Sequence, residues 1–214
     1  MKKLILSFLV SIFFFNSYPQ GKMELIPYRK GEKFGFCTYN KKIVIEPKYD
    51  EVSFFEGKLA GVKIDDLWGV INDKGNIIVP PNYTIIEICG EMILAYKRDN
   101  YSIFDKFGKE MPSISKKYNW FKPADESGLI IVTEGKKYGL INDKGNAIVP
   151  AKYDFLSNFN SGMARFQKDK KWGFINKAGK EVITAEYDDA ENFQGDLAIV
   201  EKNGQRGVIN KQNI

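Results

Sequence analysis

No histidine stands anywhere in this sequence, so the usual general base and the commonest metal ligand are both missing. A Ser-His-Asp or Cys-His nucleophile cannot be assembled within the chain. The two cysteines, Cys37 and Cys89, are too few for structural zinc. Each occupies a slot filled elsewhere by an apolar side chain, which implies buried, unpaired thiols, with a disulfide as the alternative. Carboxylates remain. Asp50, Asp154 and Asp188 each follow a tyrosine, and two isolated acids are enough to hydrolyse a glycan. Their recurrence argues for the capping of turns instead, because a catalytic pair is unique within its chain. The turns Asp73-Lys74-Gly75-Asn76 and Asp143-Lys144-Gly145-Asn146 carry too few acids for a calcium loop. The expectation is a chain that is not an enzyme, with no catalytic residue, no metal ligand and no cofactor.

Aromatic side chains are the stronger candidates for contact. Phe34, Trp68, Tyr101, Tyr138 and Trp172 form one series, and Tyr49, Tyr83, Tyr118, Tyr153 and Tyr187 form another. An exposed row of rings would hold a glycan or peptide by stacking, whereas a buried row is core. Placement beside a glycine, where backbones approach closely, favours core. A specific contact is expected instead in the irregular stretch from Ser113 to Ser127, with Trp120 and Phe121 as binding residues. The alternative there is an insertion the repeat merely tolerates.

These residues are positioned by a repeat. The pattern aromatic–Gly–apolar–apolar–Asn reads Trp68-Gly69-Val70-Ile71-Asn72, Tyr138-Gly139-Leu140-Ile141-Asn142 and Trp172-Gly173-Phe174-Ile175-Asn176, and closes with Gly207-Val208-Ile209-Asn210. Registered on Gly35, Gly69, Ser102, Gly139, Gly173 and Gly207, the steps are 34, 33, 37, 34 and 34 residues. A fixed period of this kind marks an array whose units bury their apolar faces against one another. Each marker strand ends in an Asx turn with Gly75, Gly108, Gly145, Gly179 or Asn213 at the position that needs positive φ. Lys41 breaks that rule, and Asn40 beside it is the expected holder of the strained conformation. A second strand follows, ending near Pro47, Pro80 or Pro150, and Asn203-Gly204 signals a type I′ hairpin before the last marker strand. The fold class is all-β, built of about three short antiparallel strands per unit, with no helical segment after the N-terminus. An open curved stack is expected, and a closed five-bladed propeller is the alternative. Arg206, at a slot otherwise aromatic, suits a capping copy.

Lys2, Lys3 and the apolar run Leu4–Phe15 fit a secretory signal peptide, assigned to residues 1–20, with an uncleaved membrane anchor as the alternative. Residues 21–214 are then one array of five units and a partial sixth, with an irregular third unit and no integral membrane span. Removing Lys2 and Lys3 lowers the formal charge from +5 to +3, and the remaining charges interleave in sign. Nucleic acid is therefore an unsuitable partner. Expected partners are an envelope protein or a glycan, met after export to the periplasm or the cell surface.

The elements Lys171-Trp172-Gly173-Phe174-Ile175-Asn176, Pro47-Lys48-Tyr49-Asp50, Pro150-Ala151-Lys152-Tyr153-Asp154 and Phe159-Asn160-Ser161-Gly162-Met163-Ala164 resemble the WG-repeat (KWG-repeat) family of bacterial proteins. The resemblance covers nearly all of residues 21–214 and weakens in the third unit, where Tyr101-Ser102 replaces Trp-Gly. It implies β-rich repeats, often exported and without general catalytic residues, and leaves the function open; a binding module at the cell envelope is the expectation, with a carboxylate-based glycan-active enzyme as the alternative.

Overall fold

A computed structural model describes residues 25–98, 100–125 and 127–214. The expected signal peptide lies outside the described residues. Six small antiparallel sheets follow one another along the chain. The first contains β1 (Ile26–Lys30), β2 (Lys33–Cys37) and β3 (Ile43–Tyr49). The second contains β4 (Glu51–Val52), β5 (Leu59–Ile64), β6 (Leu67–Asn72) and β7 (Ile77–Tyr83). The third contains β8 (Ile85–Cys89), β9 (Met92–Lys97) and β10 (Asn100–Asp105), and is followed by helix α1 (Pro112–Lys117). The fourth contains β11 (Trp120–Pro123), β12 (Ile130–Glu134), β13 (Lys137–Ile141) and β14 (Ala147–Tyr153). In the fifth are β15 (Phe155–Leu156), β16 (Met163–Lys168), β17 (Lys171–Asn176) and β18 (Glu181–Tyr187). The sixth has β19 (Asp189–Ala190), β20 (Leu197–Lys202) and β21 (Gln205–Asn210).

A complete unit thus has four strands, one more than the sequence suggests. The addition is a strand as short as two residues after the Tyr position, too brief to leave a periodic signal. Strand order follows chain order in every sheet, and each sheet takes strands from two consecutive sequence repeats.

Close backbone packing explains the marker glycine. In the fifth sheet Trp172 pairs with Tyr187 and Phe174 with Ile183, so Thr184, Ala185 and Glu186 all face Gly173. The strand therefore bulges over the glycine. A Cβ on Gly173 would stand 2.5 Å from the Ile183 carbonyl oxygen, one on Gly69 2.6 Å from that of Val79, and one on Gly139 2.8 Å from that of Val149. Strands β7 and β14 do not end at Pro80 and Pro150. Those prolines sit in the bulge, where no ladder hydrogen bond is asked of them, and the strand resumes to its tyrosine.

Ser102 carries the Cβ that this arrangement forbids, and β10 has no strand on that side. Helix α1 packs there instead, the one helix among the described residues and a departure from the all-strand expectation. Pro112 occupies its first turn, where a missing N–H costs nothing, and Ile114 is its buried anchor. A single turn is too short to show helical period, so the sequence hides it.

The Asx turns behave as read. Asn72 Oδ1 accepts the N–H groups of Lys74 at 3.0 Å and Asn76 at 2.9 Å, and Asn142 repeats this with Lys144 and Asn146. Gly75, Gly108, Gly145, Gly179 and Asn213 all have positive φ. Lys41 itself takes the strained conformation with φ of 60°, not Asn40. The next hairpins place Asp65 and Asp66, Asp169 and Lys170, and Asn203 and Gly204 at positive φ in pairs, the type I′ signature.

Sheets stack face to face in sequence order, each interface holding its own apolar cluster. Phe36, Tyr49, Ala60 and Ile71 join the first two sheets, and Leu140, Tyr153, Phe166 and Ile175 the fourth and fifth. Among the described residues nothing stacks beyond the sixth sheet. Leu197 and Val208 are 54% and 59% exposed, whereas Met163 and Phe174 in the same slots of the fifth sheet are 5% and 0%. Over the described residues the array is therefore open, with six sheets, and not a closed five-bladed ring. Arg206 pairs on this surface with Glu191 at 2.8 Å.

Two predictions follow from the stacking. Gly173→Ala should lose about 1–3 kcal/mol through overpacking of the bulge, while Gly207→Ala, with nothing within 4 Å, should change stability by less than about 0.5 kcal/mol. Urea denaturation of both variants checks this, and equal losses would refute the bulge argument. Tyr153 donates its hydroxyl proton to Glu181 at 2.8 Å, but Ile77 holds the position equivalent to Glu181 in the second sheet, and the buried Tyr49 hydroxyl has no hydrogen-bond partner among the described residues. Tyr153→Phe should cost about 1 kcal/mol and Tyr49→Phe should be neutral or stabilising. Melting temperatures that fall equally would contradict it.

Candidate functional site

The recurring aspartates turn out to be structural. Asp154 accepts the Asp169 N–H at 2.9 Å with one oxygen and the Lys137 ammonium at 2.5 Å with the other. Asp50 does the same with Asp65 and Lys33, and Asp188 with Asn203 and Lys171. Each clamps a type I′ hairpin whose non-glycine residues carry positive φ. The lysine hydrogen bond, then the backbone N–H, holds all three carboxyls below the usual carboxylate range. Asp143 accepts the Glu91 N–H at 3.1 Å from the neighbouring sheet and so caps another turn.

The two aromatic series divide. Tyr49, Tyr118, Tyr153 and Tyr187 are buried core, while Phe34, Trp68, Tyr101, Tyr138 and Trp172 keep one edge partly open. Phe121 is core as well, at 2% exposure and packed against Tyr118 and Tyr101. Trp120 is partly buried, its ring 6.2 Å from that of Tyr138. Neither lines a cavity described below, although Pro123 from the same strand does. Cys37 and Cys89 are buried and unpaired. Burial, with help from Glu87, Glu56 and Asp143, pushes the Cys89 thiol up to about 12, which leaves it inert.

A cavity of about 330 Å³ opens between the second and third sheets. Ser53, Glu56, Gly61 and Trp68 line it from the second sheet, Ile86, Glu87 and Ile88 from β8, and Pro123 from β11. Its origin is a missing side chain. Gly61 pairs with Val70, and the same slot beside the marker strand holds Pro27, Leu94, Ile131, Arg165 and Ile199 in the other sheets. In the fifth sheet Arg165 fills that place, lying 4.7 Å from the Trp172 ring centroid and donating to the Ala190 carbonyl. With glycine in the slot, no side chain from that position covers Trp68, whose ring has Lys63 Nζ 5.9 Å from its centroid. A Cβ at Gly61 would meet Ser53 Oγ and the Trp68 ring at 3.5 Å, ordinary contact distance, so the backbone does not require glycine there. Ser53 Oγ is held by the Gly61 N–H at 2.9 Å and donates to the Phe54 carbonyl at 2.8 Å.

The cavity's charges are unusual for this chain. Glu56 occupies a bridge position filled by Asn160 and Gln194 in later units. Both Glu56 and Glu87 are exposed at the mouth, yet neither forms an ion pair among the described residues. Desolvation raises both carboxyls above the ordinary carboxylate value, opposed at Glu87 by the field of Lys122. A second cavity of about 450 Å³ lies between the fourth and fifth sheets, but its acid, Asp125, is already paired with Lys177 at 2.5 Å. The first cavity was not legible in the sequence, since its signal is a side chain that is absent from one slot.

Because the folded state binds these two protons more readily than the unfolded chain, ionising Glu56 and Glu87 costs stability at neutral pH. That cost fades as pH falls through the raised folded values and is gone below the ordinary 4.5. Glu56→Gln and Glu87→Gln should therefore melt higher than wild type at about pH 7, with the gap closing near pH 4. Thermal melts across that range check it, and a gap independent of pH would contradict it.

Comparison with known sequences agrees with this architecture. A sequence profile for a family described as WG containing repeat matches residues 34–68, 68–87, 138–172 and 172–205. The unmatched stretch between them is the unit with Ser102 and α1. No curated protein matches the chain. Among solved structures, a eukaryotic initiation factor is similar at 9% identity and a TM-score of 0.47, over 89% of this chain and 61% of that one. Hsv2 of Kluyveromyces lactis is similar at 13% identity and a TM-score of 0.41, over 88% of this chain and 71% of that one. The chain thus spans about three-fifths of the initiation factor, and at this distance neither likeness bears on what it binds. The profile covers more than half of the sequence and coincides with the bulged glycines, the capped turns and the clamped hairpins, and the chain belongs to the WG containing repeat family.

Proposed function

We propose that this chain is an exported, non-catalytic binding module of the bacterial cell envelope, and that its ligand seats in the Gly61 cavity. One observation carries the reading: a slot filled by larger side chains in the other five sheets is vacant here, and the vacancy uncovers an aromatic wall. Concave sites with an apolar wall and a few polar groups are the usual form of small-ligand pockets, and 330 Å³ falls at the lower end of their range of about 300–1,000 Å³. Two rim carboxylates without an ion pair among the described residues, both raised by desolvation and Glu87 opposed by the field of Lys122, support a functional site there. Export rests on the N-terminal basic and apolar segment. No helix among the described residues is long and apolar enough to cross a membrane.

The same two acids favour a second reading, a glycan hydrolase. Acid–base pairs, however, work because their surroundings push one proton affinity up and hold the other down. Desolvation moves Glu56 and Glu87 in the same direction, which supports binding over turnover.

The test uses the cleaved, immobilised protein and solubilised cell-envelope fractions. Wild type and Trp120→Ala should retain a component that Gly61→Leu, shown to be folded by its thermal melt, does not. Equal retention by Gly61→Leu would remove the cavity from the function, and loss in Trp120→Ala would move the site to the third unit. Release of reducing ends from envelope glycan, abolished by both Glu56→Gln and Glu87→Gln, would establish the hydrolase. Recovery of the full-length chain, uncut, in the cytoplasm would overturn export.

A further inference from the structure

Resting on the cavity reading above, we infer that the Gly61 cavity is a subsite for an amino sugar, with the pyranose ring against Trp68 and the ammonium group paired with Glu56 or Glu87. Three features of the cavity specify this chemistry. Its wall is a flat indole uncovered by Gly61, and aromatic faces stack on compact rings at low entropic cost. The volume of about 330 Å³ accommodates one ring. The rim carries two carboxylates with no ion pair among the described residues and no basic residue among its lining groups, so a bound cation would pair with them more closely than Lys122, whose field reaches Glu87.

The other interfaces serve as internal controls. In the fifth sheet a guanidinium from Arg165 lies 4.7 Å from the centroid of the equivalent ring, Trp172. A cation at an indole face is therefore part of this repeat's own chemistry, held close by Arg165 at Trp172 and more distantly by Lys63, 5.9 Å from the Trp68 ring centroid. The second cavity has its acid already satisfied by Lys177 and offers no such vacancy. Ser53 Oγ adds a polar lining group, its proton already given to the Phe54 carbonyl, so that it can meet a sugar hydroxyl only as an acceptor.

The probe is glucosamine, compared with N-acetylglucosamine, glucose and cadaverine, read from the chemical shifts of the Gly61 amide and the Trp68 indole N–H. Glucosamine should shift both signals in a saturable way. N-acetylglucosamine and glucose should bind at least about tenfold more weakly, as expected for loss of one charge-assisted hydrogen bond. Glu87→Gln and Glu56→Gln should each weaken glucosamine, and Gly61→Leu should abolish it while leaving the remaining spectrum in place. Equal binding of N-acetylglucosamine that Gly61→Leu removes would keep a ligand cavity and overturn the amine. Cadaverine binding as well as glucosamine would overturn the sugar ring. No saturable shift with any probe would overturn the subsite.

Discussion

The structure depends on one close approach, that of a bulged backbone to the α-carbon of a marker glycine. At Gly69, Gly139 and Gly173 the partner strand's carbonyl lies where a Cβ would stand. Removing that atom lets three residues oppose one, turns the outer strand and brings its tyrosine back into register with the aromatic residue before the glycine. The buried tyrosine then reaches the adjacent sheet, as Tyr153 does through Glu181. Pairing of the outer strand and the reach of its tyrosine to the next sheet are thus consequences of the same missing methyl group.

The remaining recurrent residues secure what the glycine permits. The asparagine four positions into the motif holds the turn after the marker strand, and the aspartate after the tyrosine holds the hairpin that follows. Both spend side-chain acceptors on backbone N–H groups that tight turns leave without partners. Where the glycine is lost, as at Ser102, the outer strand goes with it and a one-turn helix takes over its burial through Ile114.

Legibility follows from this division. Period, strand type, turn positions and the structural role of Asp50, Asp154 and Asp188 could be read directly, because each depends on local chemistry repeated several times. The helix over Pro112–Lys117 could not, since six residues hold less than two turns. Lys41 misled because a lysine at positive φ goes against local preference and is held there by the surrounding turn. Trp120 and Phe121 drew attention as large aromatic side chains in an irregular stretch, yet Phe121 is committed to the core between the third and fourth sheets. The cavity was hidden for a different reason. Gly61 looks like any strand glycine until its slot is aligned in space with Arg165 and Ile131, and Glu56 and Glu87 are distant in sequence from Pro123. A glycine breaking an otherwise filled slot was the available signal.

Sequence period and sheet boundary are out of phase, since every sheet draws its early strands from one repeat and its later strands from the next. A whole period cut at the marker glycine carries the rear of one sheet and the front of its neighbour, with edges that match at both junctions. Unit number in such a chain can change by recombination without creating a foreign seam, and an inserted copy is stitched into its neighbours on both sides from the outset. The scaffold behaves less like a string of beads than like ply in a rope, where no strand can be lengthened without being woven in.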